Sequence, residues 1–157
     1  MFTASLPTWV SGEDILGEDL QTMTDALTAL TAAWTTYPPV LTSTAGSPTV
    51  GNGSLTGKYR QLGKTVDVRI YLLWGSTTTY GVGGNPSISL PVAPLDYPQV
   101  AYAVLQDLGT NTFTAGGIFE ATSKITPVCA SGALTNAVPF TWANGDKLVI
   151  AATYEAA

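Results

Sequence analysis

The chain has 157 residues, of which only 11% are charged, against about 25% in typical globular domains. Thr and Ser fill the polar positions instead, with 24 Thr and 10 Ser. The length suits one domain with a short appendage, and a hydrophobic content of 45% excludes a disordered chain.

The net charge of −5 is unevenly distributed along the chain. Residues 1–57 contain five acids and no Lys or Arg, whereas residues 58–157 contain six acids and six bases. Because the second part is balanced, we expect no basic patch, and neither nucleic acid nor an anionic membrane as a partner. No secretory signal and no run of 18 apolar residues is recognised, so we expect no membrane span.

The first predicted element is a helix over residues 18–35. Apolar residues recur there in steps of four and three, which gives a seven-residue repeat. This apolar stripe consists of Leu16, Leu20, Met23, Leu27, Leu30 and Trp34. Pro38 and Pro39 end the helical pattern. Three partners for the stripe are left open: identical helices of other copies, the chain's own β domain, or another protein.

Short β-type runs separated by turn signals follow. In residues 65–74 the even positions are apolar and the odd positions more polar, which predicts a strand with one face on a core. Further strands are predicted at residues 55–62, 87–92, 99–108, 113–122, 124–130, 137–142 and 147–154, the last two forming a hairpin across Asn144-Gly145-Asp146.

Seven or eight short strands without helical crossovers predict a mostly β fold. We expect an antiparallel β-sandwich or jelly roll with one short N-terminal helix. The predicted organisation is an N-terminal attachment segment over residues 1–36 and a β-sandwich domain over residues 37–157.

The residue types needed for common catalytic chemistry are scarce. The chain has no His and a single Cys, Cys129, so Ser-His-Asp and Cys-His sites are excluded, and Cys129 is interpreted as a small buried hydrophobe. No two-carboxylate motif is recognised among the acids of the β region, which are Asp67, Asp96, Asp107, Glu120, Asp146 and Glu155. We therefore expect no enzymatic activity, no cofactor and no metal, while calcium binding by loop Asp and Asn residues is left open.

Tyr80 is the candidate for an exposed ligand contact. It lies in the Gly- and Thr-rich loop over residues 76–85, whereas Trp74 and Trp142 lie beside apolar residues and are expected in the core. An exposed Tyr80 ring would suit stacking on a sugar, which would make the protein a module that recognises host glycans.

Five segments carry a family resemblance: residues 9–30 (WVSGEDILGEDLQTMTDALTAL), 34–39 (WTTYPP), 48–81 (PTVGNGSLTGKYRQLGKTVDVRIYLLWGSTTTYG), 89–91 (SLP) and 139–155 (PFTWANGDKLVIAATYE). They resemble small virion proteins of tailed bacteriophages, especially phages of high-GC Gram-positive hosts. Such proteins are often labelled minor tail, tail-fibre or head-decoration proteins. Where they usually have a capping Thr before the helix, this chain has Gly17.

The resemblance implies an attachment and trimer-forming part between Trp9 and Trp34, and a projecting domain over residues 40–157. The expected function is that of a non-enzymatic virion surface protein. It would be a homotrimeric capsid decoration or a spike or fibre subunit, held on the major capsid or tail proteins through Trp9 and the apolar stripe. The alternative is a minor tail or receptor-binding module that recognises host cell-surface glycans.

Overall fold

The computed structural model describes residues 17–31, 33–83, 85–96, 98–120 and 122–157. In these ranges one helix, α1 (Gly17–Leu30), precedes ten strands of a single sheet. The strands are β1 (Thr35–Tyr37), β2 (Leu41–Ser43), β3 (Ser54–Leu62), β4 (Thr65–Leu73), β5 (Pro86–Ser89), β6 (Val100–Asp107), β7 (Asn111–Glu120), β8 (Lys124–Cys129), β9 (Gly132–Ala133) and β10 (Lys147–Glu155). The predicted mostly antiparallel β fold with one short helix is confirmed.

The strands follow the order β1-β3-β4-β10-β6-β7-β8-β5-β2, with β9 attached to β8. The last long strand, β10, lies in the middle of the sheet and pairs antiparallel with β4 and β6. The sheet curls into a half-barrel, which gives the fold its sandwich-like character. The predicted sandwich layers are therefore parts of one continuous sheet.

The two ends of this sheet are tied together by a short connection. β1 and β2 lie at opposite ends of the strand order, yet only residues 38–40 separate them. Val40 N donates to Ser89 Oγ at 2.8 Å, and Ser89 N donates to Val40 O at 3.0 Å. The Tyr37 hydroxyl adds a bond to Ser89 O at 3.3 Å. The connection thus holds the edge at β1 against β5 and keeps the sheet curled.

The concave side of the sheet carries the core and is called the inner face. Residues alternate along β4, so its even-numbered apolar residues point inward while the odd-numbered ones point outward. Ile70 and Leu72 lie opposite Ile150 and Leu148 of β10, and all four are at most 1% exposed. Burial of this apolar surface is the main force that stabilises the fold.

Helix α1 is shorter than predicted, because it ends at Leu30 and not near residue 35. Thr35 and Thr36 instead pair with β3, where β-branched side chains are favoured. Trp34 therefore does not continue the helical stripe, and this part of the prediction is wrong. Trp9 and Leu16 lie outside the described residues, as does the side chain of Leu30.

The predicted hairpin of residues 137–142 with residues 147–154 is also wrong. Within residues 137–142, Val138 forms a single bridge to Thr135 and residues 139–142 are irregular, because Pro139 lacks a backbone donor and β10 already has a partner on each side. Trp74 and Trp142 are nevertheless buried in the core, as predicted.

An Ile→Ala substitution should destabilise the fold much more on the inner face than on the outer face. Ile150→Ala, at 0% exposure, should lower the free energy of unfolding by about 2–5 kcal/mol because it leaves a cavity. Ile118→Ala, at 54% exposure on the outer face, should cost less than about 1 kcal/mol. Urea denaturation of both variants measures the difference, and equal costs would contradict this assignment of faces.

Candidate functional site

A cleft on the outer face joins side chains from four segments of the chain. The register of β1 places Thr35 opposite Tyr59, so the preceding residue, Trp34, lies beside Arg60 of β3. The register between β3 and β4 places Arg60 opposite Asp67, and Thr153 of β10 lies on the other side of Asp67. Sheet pairing thus brings together residues that are far apart in the sequence.

Trp34 holds two guanidinium groups in this cleft. The Cζ atom of Arg69 lies 4.5 Å from the Trp34 ring centroid, and that of Arg60 lies 5.5 Å away. Each such cation–π contact contributes about 0.5–1 kcal/mol at an exposed site. The cleft has a volume of about 270 Å³, and its remaining lining is Val68, Ala151 and Ala152. We call it the Trp34 cleft.

Asp67 neutralises one of the two arginines. The Thr153 hydroxyl donates to Asp67 Oδ1 at 2.6 Å, and Arg60 Nε donates to Oδ2 at 2.7 Å. These two bonds lower the pKa of Asp67, so it is ionised at neutral pH. Arg69 forms no ion pair within the described residues, and it lies opposite Lys58 across β3 and β4. The cleft is therefore locally positive and suited to an anion.

Tyr80 is not exposed, which contradicts its predicted role as a ligand contact. Its side chain is 0% exposed, with its ring centroid 4.7 Å from that of Trp74 and 5.4 Å from that of Trp142. Asn136 holds the loop inward, because its Oδ1 accepts from Tyr80 N at 2.8 Å and its Nδ2 donates to Gly81 O at 3.1 Å. A fixed inward loop leaves the Tyr80 ring no access to a ligand.

Glu120 is held by three hydroxyl groups where β5, β7 and β8 meet. Thr126 and Ser87 donate to its Oε1 atom, the Ser87 bond being 3.0 Å long, and Thr122 donates to Oε2 at 3.3 Å. The bond from Thr126 is the main reason why the pKa of Glu120 lies below its ordinary value. Across the strand pair Glu120 faces Lys124, not another acid.

Asp146 supports the turn at Asn144-Gly145. Its side chain is 1% exposed, and its two oxygens accept from Leu108 N at 2.9 Å and Ala143 N at 2.6 Å. Within the described ranges, no group of three or more His, Cys, Asp or Glu side chains could hold a metal ion.

The outer face of β10, β6 and β7 carries exposed apolar side chains that the sequence reasoning missed. Val100 lies opposite Ile118, and Tyr102 lies opposite Ala151. The members of this outer apolar patch and their exposures are Val100 (81%), Tyr102 (57%), Ile118 (54%) and Val149 (40%). The sequence did contain a sign of this patch. Residues 100–105 (VAYAVL) are apolar at both odd and even positions, whereas one face of an antiparallel strand is commonly polar.

The apolar stripe of α1 is exposed wherever its side chains are described. Leu20, Met23 and Leu27 are 52%, 46% and 64% exposed, and none of them belongs to the core. One of the three predicted partners for the stripe was the chain's own β domain. In the single chain, the described part of the stripe does not pack on that domain.

No protein-family model matches the sequence, and no similar curated protein or solved structure was found. Of the residues that the structure describes, none belongs to a helix with the length and apolar character needed to cross a membrane.

Removal of the Tyr80 hydroxyl should not destabilise the fold, unlike removal of most buried hydroxyl groups. It is buried without a hydrogen-bond partner among the described residues, whereas the Tyr154 hydroxyl donates to Val92 O at 2.8 Å. Tyr80→Phe should leave the free energy of unfolding unchanged or raise it by about 1 kcal/mol, while Tyr154→Phe should lower it by about 0.5–1.5 kcal/mol. Thermal or urea unfolding of the pair tests this, and a clear loss in Tyr80→Phe would reveal a missing partner.

Protonation of Glu120 should account for part of the loss of folding stability at acid pH. Because its pKa is lower in the folded chain than in the unfolded chain, its contribution is complete above the unfolded value and is lost as pH falls below 4.5. We expect the stability lost through Glu120 at low pH to be below about 1 kcal/mol, because the carboxylate is partly solvated. Thr126→Val should raise the pKa of Glu120 and make this loss of stability smaller. Urea unfolding at pH 7 and pH 3, together with an NMR titration of Glu120, measures both effects. An unchanged Glu120 titration would contradict the assigned cause.

Proposed function

We propose that this protein is a non-enzymatic structural subunit of a tailed-phage virion. In this proposal it self-associates, most simply as a trimer, through the apolar stripe of its N-terminal helix. It decorates the capsid, or forms a short spike or fibre, and contacts the major capsid or tail proteins at the virion surface. The curled sheet forms the projecting domain.

The observation that carries this proposal is the exposed stripe on a helix that is weak by itself. Helix α1 has 14 residues, and isolated helices of this length are marginal in water even when rich in Ala. Thr22, Thr24 and Thr28 each turn a hydroxyl back onto the carbonyl four residues earlier, a bond that does not favour helix formation. Packing of Leu20, Met23 and Leu27 against a partner would supply the missing stability.

The rest of the surface supports assembly in two ways. The outer apolar patch adds a second exposed apolar surface, and such surfaces commonly mark contacts between proteins. With only 11% charged residues, neighbouring subunits repel each other weakly. The resemblance to small phage virion proteins is the reason for naming a virion as the assembly.

The glycan-binding alternative has lost the residue on which it was based. Tyr80 is fully buried, so it cannot stack on a sugar without unfolding its loop. We therefore base the proposed function on assembly.

Leu27→Asp and Thr28→Asp form a matched pair that tests the proposal. Both introduce the same charge in the last turn of α1, but only Leu27 belongs to the apolar stripe. We expect light scattering to give three times the chain mass of 16.3 kDa for the wild type and Thr28→Asp, and a single chain for Leu27→Asp. Purified phage particles should likewise retain Thr28→Asp and lose Leu27→Asp, as measured by quantitative mass spectrometry.

Two results would contradict this proposal in different ways. A wild-type mass of one chain would reject self-association through the stripe. Absence of the wild-type protein from purified particles would reject the virion role, even if the protein forms a trimer in solution.

A further inference from the structure

We propose that the Trp34 cleft is a carboxylate-binding site for a second copy of this chain. Its ligands would be Glu18 and Asp25 on helix α1 of the neighbouring copy. This inference rests on the self-association in the proposed function and adds to it a specific polar contact between subunits.

The cleft presents guanidinium donors with few acceptors of their own. Arg60 uses its Nε atom on Asp67, and Arg69 has no ion pair in the described part of the chain. The Trp34 ring lies against both guanidinium groups and limits their orientations. A carboxylate can accept two parallel N–H bonds from such a group, which is the strongest common pairing of these charges.

Positive charge is concentrated on β3, β4 and the turn between them, which supply one wall of this cleft. Four of the six bases of the chain lie between residues 58 and 69: Lys58, Arg60, Lys64 and Arg69. Lys58 and Arg69 are directly opposite each other on the outer face, an arrangement that is unfavourable without a nearby anion. Asp67, and Glu155 opposite Thr65, supply two negative charges against these four bases, so an acid from outside would stabilise the remaining positive charge.

Helix α1 offers acids in a suitable arrangement. Glu18 and Asp25 are seven residues apart, so they lie on one side of the helix and about 10 Å apart along its axis. That side is opposite to Leu20, Met23 and Leu27 at 100° per residue. On the sheet, Lys58 and Arg60 are about 7 Å apart along β3. The helix can therefore place its apolar stripe against other helices and its acids against a neighbouring sheet.

The charges indicate a second copy as the occupant. Residues 1–57 carry five acids and no base, so the N-terminal part of every copy has no cation of its own to pair with. Neither Glu18 nor Asp25 forms an ion pair with the described bases of the same chain, although Gln21 donates to Asp25 at 2.7 Å. Pairing between copies would satisfy both surfaces, and it should weaken as salt screens the charges.

Zero-length carbodiimide cross-linking of the full-length protein tests the contact directly, because it joins a Lys amine to a carboxylate within contact distance. Unlabelled and ¹⁵N-labelled protein would be mixed, dissociated and reassembled. We expect a cross-link between Lys58 and Glu18 or Asp25 in which one peptide is labelled and the other is not. A Lys58 cross-link confined to peptides of one copy would overturn the proposal.

Charge reversal supplies a second and independent measurement. Arg69→Glu should reduce the mixed cross-link by up to about fivefold at low salt, whereas Lys147→Glu makes the same change in net charge away from the cleft and should not. Combining Arg69→Glu with Asp25→Arg should restore the mixed cross-link between Lys58 and Glu18 at low salt. Equal effects of Arg69→Glu and Lys147→Glu would indicate that only net charge matters and would overturn the site.

These experiments separate the two proposals. A trimer without mixed Lys58 cross-links, and indifferent to Arg69→Glu, would overturn the carboxylate site and leave the helix-mediated trimer standing. A single chain in solution would overturn both. A protein absent from phage particles that still gives the mixed cross-link would overturn the virion role and support the contact.

Discussion

The short connection between β1 and β2 is the constraint on which the rest of the structure depends. Three residues must join strands at opposite ends of the sheet order, so the sheet has to curl until its ends meet. Curling separates a concave side, filled by residues such as Ile70 and Ile150, from a convex side on which the described residues leave several apolar side chains exposed. The same connection places β1 on β3 and thereby brings Trp34 over Arg60 and Arg69. Closure of the sheet and formation of the cleft thus have one cause.

The convex side is divided into two chemically different regions. Around β3 and β4 it carries charged side chains, with Arg60 bonded to Asp67. Around β6 and β7 it carries the outer apolar patch. Neither region belongs to the core, since its side chains point away from the concave side. A protein that worked alone would gain little from exposing Val100 and Ile118 next to each other. The division is better explained if both regions are contacts that form on assembly.

The sequence correctly predicted those features that depend only on neighbouring residues, such as the two faces of a strand. Alternation over residues 65–74 gave the right faces for β4, because each side chain's direction follows from its position in the strand. Tyr80 was misassigned because its burial depends on Asn136, a residue 56 positions away. Strand β1 has three residues, too few for periodicity, and it forms only because β3 is available. The cleft was beyond prediction for the same reason: Asp67 and Arg69 were expected on one face, but their partners Arg60 and Trp34 follow from sheet register.

The placement of Trp34 changes how the N-terminal part can act. If the helix had continued to Trp34, the segment would be a simple stalk with one apolar side. Instead α1 ends at Leu30, and the chain passes within four residues from a helix to a side chain packed on the β domain. Glu18 and Asp25 lie on the side of this helix away from its apolar stripe. Such a helix can contact two neighbours at once, through apolar packing on one side and charge on the other. Because α1 is too short and too rich in Thr to be stable alone, its folding would then be coupled to assembly.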